Sequence, residues 1–130
     1  MAAIPISGRN GEALTGSCTD ARHILESGSG WAPDFDGDGR VFELLHLVAV
    51  NTSAASQSEL HLWDRDEGSQ PTTTLQVGGR IIIAPNTTLE KTWAKGTGPR
   101  FRTNITASTS RTTNRGTVAI RDVYASGLLH

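Results

Sequence analysis

The sequence predicts an all-β protein: a single-domain antiparallel β-sandwich, of jelly-roll or immunoglobulin-like type, with an irregular Gly/Ser-rich N-terminal arm. Three observations lead there. Residues 41–50, Val-Phe-Glu-Leu-Leu-His-Leu-Val-Ala-Val, form the most apolar run of the chain and carry large apolar residues at both parities. A strand with that pattern is buried on both faces or crosses a sandwich edge. Downstream, short runs of alternating or β-branched residues recur at hairpin spacing, separated by Gly, Pro, Asn and Asp. Hydrophobic residues make up only 36% and aromatic ones 5%, while Gly, Thr and Ser are abundant, which suits a thin sandwich with many turns. A length of 130 residues holds one such domain and no second one. The expected division is an irregular arm over residues 1–33 and a sandwich over 34–130.

Taken in order, residues 1–33 are interrupted by Gly and Ser at short intervals, leaving room only for short extended pieces. Residues 2–6 contain Pro5, which suits an edge strand or an extended arm. Residues 20–27 fit one helical turn capped by Asp20 or a short strand. Trp31 is an apolar anchor ahead of a loop. The 41–50 run follows, bounded by Asp-Gly-Asp-Gly-Arg and Asn-Thr-Ser, and these flanks argue against a helix. Residues 59–64 read as a half-buried strand, with Leu60 and Leu62 on one face and Glu59, His61 and Trp63 on the other. Residues 64–70 are a charged hairpin tip. Residues 71–77 resume as a strand that ends at Gly78-Gly79, and residues 80–84 form another that is cut off by Pro85. Residues 87–94 carry Leu89 and Trp93. Phe101, Thr103, Ile105 and Ala107 alternate with Arg102, Asn104 and Thr106, which predicts one core face and one wet face. Residues 117–125 close the domain with Val118 and Ile120.

The chemistry-bearing residues form no catalytic constellation. His23, His46, His61 and His130 have no ligand spacing, and His46 is expected as a hydrogen-bonded core or interface residue. No Gly-x-Ser-x-Gly elbow and no phosphate-cradling glycine loop is present, and an enzyme is not expected. Cys18 has no adjacent base and reads as an inert thiol. Asp34, Asp36 and Asp38 match the opening of a calcium loop, D-x-D-x-D-G, but position twelve is Leu45 where a bidentate Glu should close the sphere. The expectation is a solvated acidic turn, with calcium as the alternative, and no other cofactor. Bases between Lys91 and Arg121 are diluted by Thr and Ser, so nucleic acid is not the expected partner. No apolar run is long enough for a membrane helix. Met-Ala-Ala-Ile-Pro-Ile-Ser lacks the features of a signal peptide, so the mature protein is expected to begin near residue 1. Asn51-Thr52-Ser53, Asn86-Thr87-Thr88 and Asn104-Ile105-Thr106 fit the glycosylation pattern by chance in a chain this rich in Thr and Ser.

Charge is divided along the chain. Residues 1–67 hold eleven acids and four bases, net −7; residues 68–130 hold two acids and eight bases, net +6, which together make the overall −1. Compensation within the domain is one reading of that split, and complementary contact between copies is the other.

The run Leu47-Val48-Ala49-Val50-Asn51-Thr52-Ser53-Ala54-Ala55, then Glu59-Leu60-His61-Leu62-Trp63-Asp64, then Ile81-Ile82-Ile83-Ala84-Pro85-Asn86-Thr87-Thr88-Leu89 resembles small β-sandwich virion proteins of tailed bacteriophages. The likeness is one of strand ends and turns over residues 41–125. It implies a non-enzymatic decoration or cement protein, made in the host cytoplasm and bound to the outer surface of the capsid. Its partners would be the major capsid protein and neighbouring copies of itself. A neck or tail component of the particle is the adjacent reading. In that setting Ala2, Ile4 and Ile6 are the expected partner contacts, as an arm that adds to a neighbouring sheet edge, and removing residues 1–10 should leave the sandwich folded. A rival from another class is a carbohydrate-binding module that stacks sugars on Trp31, Trp63 and Trp93.

Overall fold

The computed structural model describes residues 4–11, 14, 22–26, 39–64, 76–109 and 120–130. Their regular structure is entirely strand: β1 (Ile4–Asn10), β2 (Arg22–Glu26), β3 (Phe42–Asn51), β4 (Ser58–Trp63), β5 (Gln76–Ile83), β6 (Thr87–Thr92), β7 (Arg100–Phe101), β8 (Asn104–Ser108) and β9 (Ile120–Leu129). One sheet runs β1-β9-β3-β6, with β7 beside the start of β3, and the other runs β2-β8-β4-β5. Every pairing is antiparallel. Leaving out the two-residue β7, the pairs β1–β9, β2–β8, β3–β6 and β4–β5 nest inside one another. That is one long hairpin, folded over so that successive pairs fall in opposite sheets. The sandwich is therefore a jelly roll, not an immunoglobulin-like fold.

Side chains from both inner faces fill the core, among them Ile6, Phe42, Leu44, Leu47, Leu60, Leu62, Ile83, Phe101, Ile105, Val123 and Leu129. β3 is an interior strand, as its apolarity predicts, but its two-sided pattern has another cause. Leu44 faces Gly127 and His46 faces Ser126, so Leu45 is an extra residue, a β-bulge. The bulge reverses parity. Phe42, Leu44, Leu47 and Ala49 all enter the core, while Leu45, Val48 and Val50 are half-buried on the outer face. A second bulge lies in β9, where Asp122 takes φ 53°, a left-handed conformation that Asp tolerates better than most residues.

Four sequence expectations change here. Ile4–Asn10 is the edge strand beside β9, paired along its whole length, and Arg22–Glu26 pairs with β8, so these parts of residues 1–33 are sheet and not arm. Gly8 lets β1 close on β2, since a Cβ there would strike the carbonyl oxygen of Ile24. Gly78-Gly79 does not end a strand: the pairs His61–Arg80 and Leu62–Val77 make the two glycines a bulge within a continuous β5. The 101–107 alternation is broken, because Phe101 belongs to one sheet and Ile105 to the other. Between them the Asp64 carboxylate accepts the N–H groups of Arg102 at 2.9 Å and Thr103 at 2.8 Å, which holds the crossover. No face of β8 is wet, since Asn104, Thr106 and Ser108 are buried with Ile105 and Ala107, and the outward residues His61 and Trp63 of β4 are fully buried too.

Candidate interaction surface

The outer face of the five-stranded sheet is assembled by register. Pro5, Leu128 and Glu43 lie in one row; Ser7, Ser126, His46 and Thr92 in the next; Arg9, Tyr124, Val48 and Glu90 in a third. Bulged Leu45 leans over the β1–β9 seam and, with Pro5, Ile6, Ser7, Tyr124, Ser126 and Gly127, lines an open groove of about 370 Å³. The apolar members Leu45, Val48, Val50, Tyr124 and Leu128 are only half-buried. His46 sits edge-on to Tyr124 with ring centroids 6.0 Å apart, and its Nε2 is 3.6 Å from a Glu90 oxygen. It is thus a half-exposed surface residue, which removes the core half of the core-or-interface expectation. Apolar and amphipathic side chains make up most of this face around the open groove.

Glu43 shares this face but is fully buried. The residue 93–99 excursion between β6 and β7 comes down on β3 at Gly98, where a Cβ would strike the Leu44 carbonyl oxygen. Glu43 accepts the Gly98 N–H at 3.0 Å and bonds His130 Nε2 at 3.0 Å. The His130 backbone pairs in both directions with Val41. Burial alone raises the Glu43 carboxyl, but hydrogen bonds from His130, Gly98 and Gly96 and the charge of Arg100 outweigh it and hold the group below its ordinary value.

β6 and β7 lie end to end along the free side of β3. Of the residues Thr87–Thr92, all but Leu89 are exposed. Their position is set by Asn51. Its buried amide donates to the carbonyls of Ile83 at 3.0 Å, Ala84 at 3.1 Å and Ser56 at 3.1 Å, and its Oδ1 accepts the Ser53 N–H at 2.9 Å. The Asn86 N–H bonds the Ser53 carbonyl at 2.7 Å, and Asn86 takes φ 50° to turn the chain from β5 into β6. Asn51 and Asn104 are buried, so of the three glycosylation tripeptides only Asn86 presents its amide to solvent.

On the other sheet, buried His61 bonds Glu59 at 3.0 Å, and Glu59 also pairs with exposed Arg80 at 3.0 Å. The His61 hydrogen bond, then the Arg80 charge, lower the Glu59 carboxyl against the opposing effect of burial. Trp63 Nε1 donates to Ser108 Oγ at 2.9 Å. A fully buried Trp63 cannot stack a sugar, and the three-tryptophan platform is lost with it. Trp93 is half-buried beneath the Lys91 ammonium, 5.3 Å from the ring centroid.

Among the residues singled out from the sequence as partner contacts, Ile6 is buried in the chain's own core and Ile4 is 37% exposed. Ala2, Cys18, Trp31 and the calcium candidates Asp34, Asp36 and Asp38 lie outside the described residues. Among the described residues, no three His, Cys, Asp or Glu side chains converge as a metal would require. Sequence reasoning missed the outer-face patch because Leu45, Val48 and Val50 look like core until the bulge is known. The available signal was an excess of apolar residues over what one core face can take.

Fold and surface together define a jelly-roll protein with a partly apolar, half-exposed sheet face. The chain matches no family model, no curated protein and no solved structure.

Proposed function

We propose that this chain is a non-enzymatic structural protein of a tailed-bacteriophage virion, a decoration or cement protein that binds the outer surface of the major capsid shell. The observation that carries the reading is the outer face of the five-stranded sheet. Pro5, Leu45, Val48, Tyr124 and Leu128 are held there on rigid strands, with a groove at their centre. Flat apolar patches rimmed by polar residues suit attachment to another protein surface. The jelly roll is an architecture of viral capsid and lectin domains, and the lectin alternative is weakened by the burial of Trp63. Asn51-Thr52-Ser53, which carries part of the phage resemblance, is the clamp that shapes the β5–β6 turn.

The test is co-sedimentation of the purified protein with empty capsids of the phage that encodes it, followed by thermal disruption of the coated particles. Binding and added heat resistance are expected, and both should be lost in Val48→Glu/Tyr124→Glu without loss of the fold. Failure to bind any capsid, or binding that the double variant leaves intact, overturns the proposal.

A further inference from the structure

The β6–β7 edge combines three properties that belong to different levels of the structure. First, it is an open sheet edge. β6 pairs with β3 on one side, and among the described residues no strand lies on the other. In an antiparallel ladder every second residue turns its N–H and C=O away from its partner, so half of the β6 backbone groups point outward. Second, it is basic. Residues 87–102 hold Lys91, Lys95, Arg100 and Arg102 against Glu90, a net of +3, and the exposed Glu90 is engaged with His46. All four cations are exposed, and among the described residues none has a carboxylate within 4.0 Å. Third, the edge is held rigidly in place. Asn51 fixes the turn into β6, the Trp93 N–H bonds the Leu45 carbonyl at 3.0 Å, and Gly98 seats the loop into β7.

Arg100 lends its charge to buried Glu43, but Lys91, Lys95 and Arg102 make no ion pair among the described residues, so most of the charge of this edge faces outward. A lysine on an edge strand commonly serves to keep strands away. Here the repulsion is selective, because four like charges exclude a second basic edge, including that of another copy, and favour an acidic one.

We propose that this edge is a docking site for an extended acidic segment of a protein partner, which adds to β6 as a further strand of the sheet. Six residues of β6 accept a strand of about six or seven residues. Main-chain bonds supply the attachment and register. Acidic side chains opposite Lys91, and beyond the strand end near Lys95, Arg100 and Arg102, supply selection. Phosphate groups would meet the same charges, but an open run of backbone donors and acceptors is matched by a polypeptide strand and not by a phosphodiester chain. The inference stands without the capsid reading.

The test titrates the full chain, labelled with nitrogen-15, with a capped peptide of alternating Glu and Val about seven residues long. The same peptide with Lys for Glu and a short oligothymidylate serve as comparisons. The Glu peptide should give saturable amide shifts and slowed hydrogen exchange centred on Thr87–Thr92, weakening as salt rises. Lys91→Glu/Arg100→Glu should lower affinity by roughly tenfold or more at low salt, as expected for several weak exposed pairs lost together. Lys95→Glu/Arg102→Glu repeats the test at positions away from Trp93, and unchanged melting of either variant confirms the fold. Equal binding of the Lys peptide, shifts centred on another strand, or no saturable shift overturns the proposal. Tighter binding of oligothymidylate at the same residues overturns it in favour of nucleic acid.

Discussion

Replacing Asn51 with Ala should cost this protein a large part of its stability, although the position is neither apolar nor central to the core. The side chain is fully buried and forms contacts with three carbonyls and one N–H. The Ile83 carbonyl is the buried member; stripped of its donor it carries a desolvation penalty of about 1–3 kcal/mol. Contacts to Ser56, Ala84 and Ser53 are only partly buried, and water can replace them at a smaller loss. Together these give about 2–4 kcal/mol, against a total domain stability of roughly 5–15 kcal/mol. For a chain of 130 residues, about 4 °C of melting temperature per kcal/mol makes the expected fall roughly 8–16 °C. Asn51→Asp sharpens the test. It keeps the acceptor for Ser53 but aims a carboxylate at carbonyl oxygens, so near neutral pH it should be at least as harmful as Ala. Thermal unfolding followed by circular dichroism reads both variants. A melting point for Asn51→Ala within about 2 °C of the parent, less than the smallest loss worked out above, would show that the clamp is replaceable and that the β5–β6 turn is held by something else.

Two further outcomes follow from the same contacts. Glu43 has a folded-state value below the ordinary 4.5, so its contribution is present above that pH and is lost as pH falls through the lowered value. Glu43→Gln should therefore flatten the acid limb of the melting curve as pH falls below the ordinary carboxylate value of 4.5, and parallel curves for parent and variant would remove Glu43 from the account. Deleting residues 1–10 should not spare the sandwich, contrary to the sequence reading. It strips β9 of a seven-residue partner and takes Ile6 from the core, a side chain whose burial alone is worth about 1.5–3 kcal/mol, so retention of the parental melting point would show that β1 is dispensable.

Much of the architecture is legible in local chemistry. The apolarity of residues 41–50 marks a strand with a large core-facing share, which β3 has as an interior strand, and Pro5 marks an edge because a ring nitrogen cannot donate to a second neighbour. The turn residues bound β4 and β6 close to where the sequence places them, for the same kind of reason. What a one-dimensional pattern does not carry is a bulge. One extra residue at Leu45 reverses the facing of everything after it, and that single step turns Val48 and Val50 from apparent core into the outer face on which the proposed function rests. Gly78-Gly79 reads as a stop for the same reason, since two unpaired glycines look alike in a turn and in a bulged strand. Phe101 and Ile105 are two turns of one alternation in the sequence and lie in opposite sheets in space, because the Asp64 carboxylate that holds the crossover is 38 residues away from Arg102. The likeness of residues 41–125 to phage virion proteins comes from the sequence. The docking edge comes from the tertiary structure: β6 and β7 become one continuous basic edge only when both are laid against β3, since pairing partners are chosen by long-range packing and not by the residues beside them.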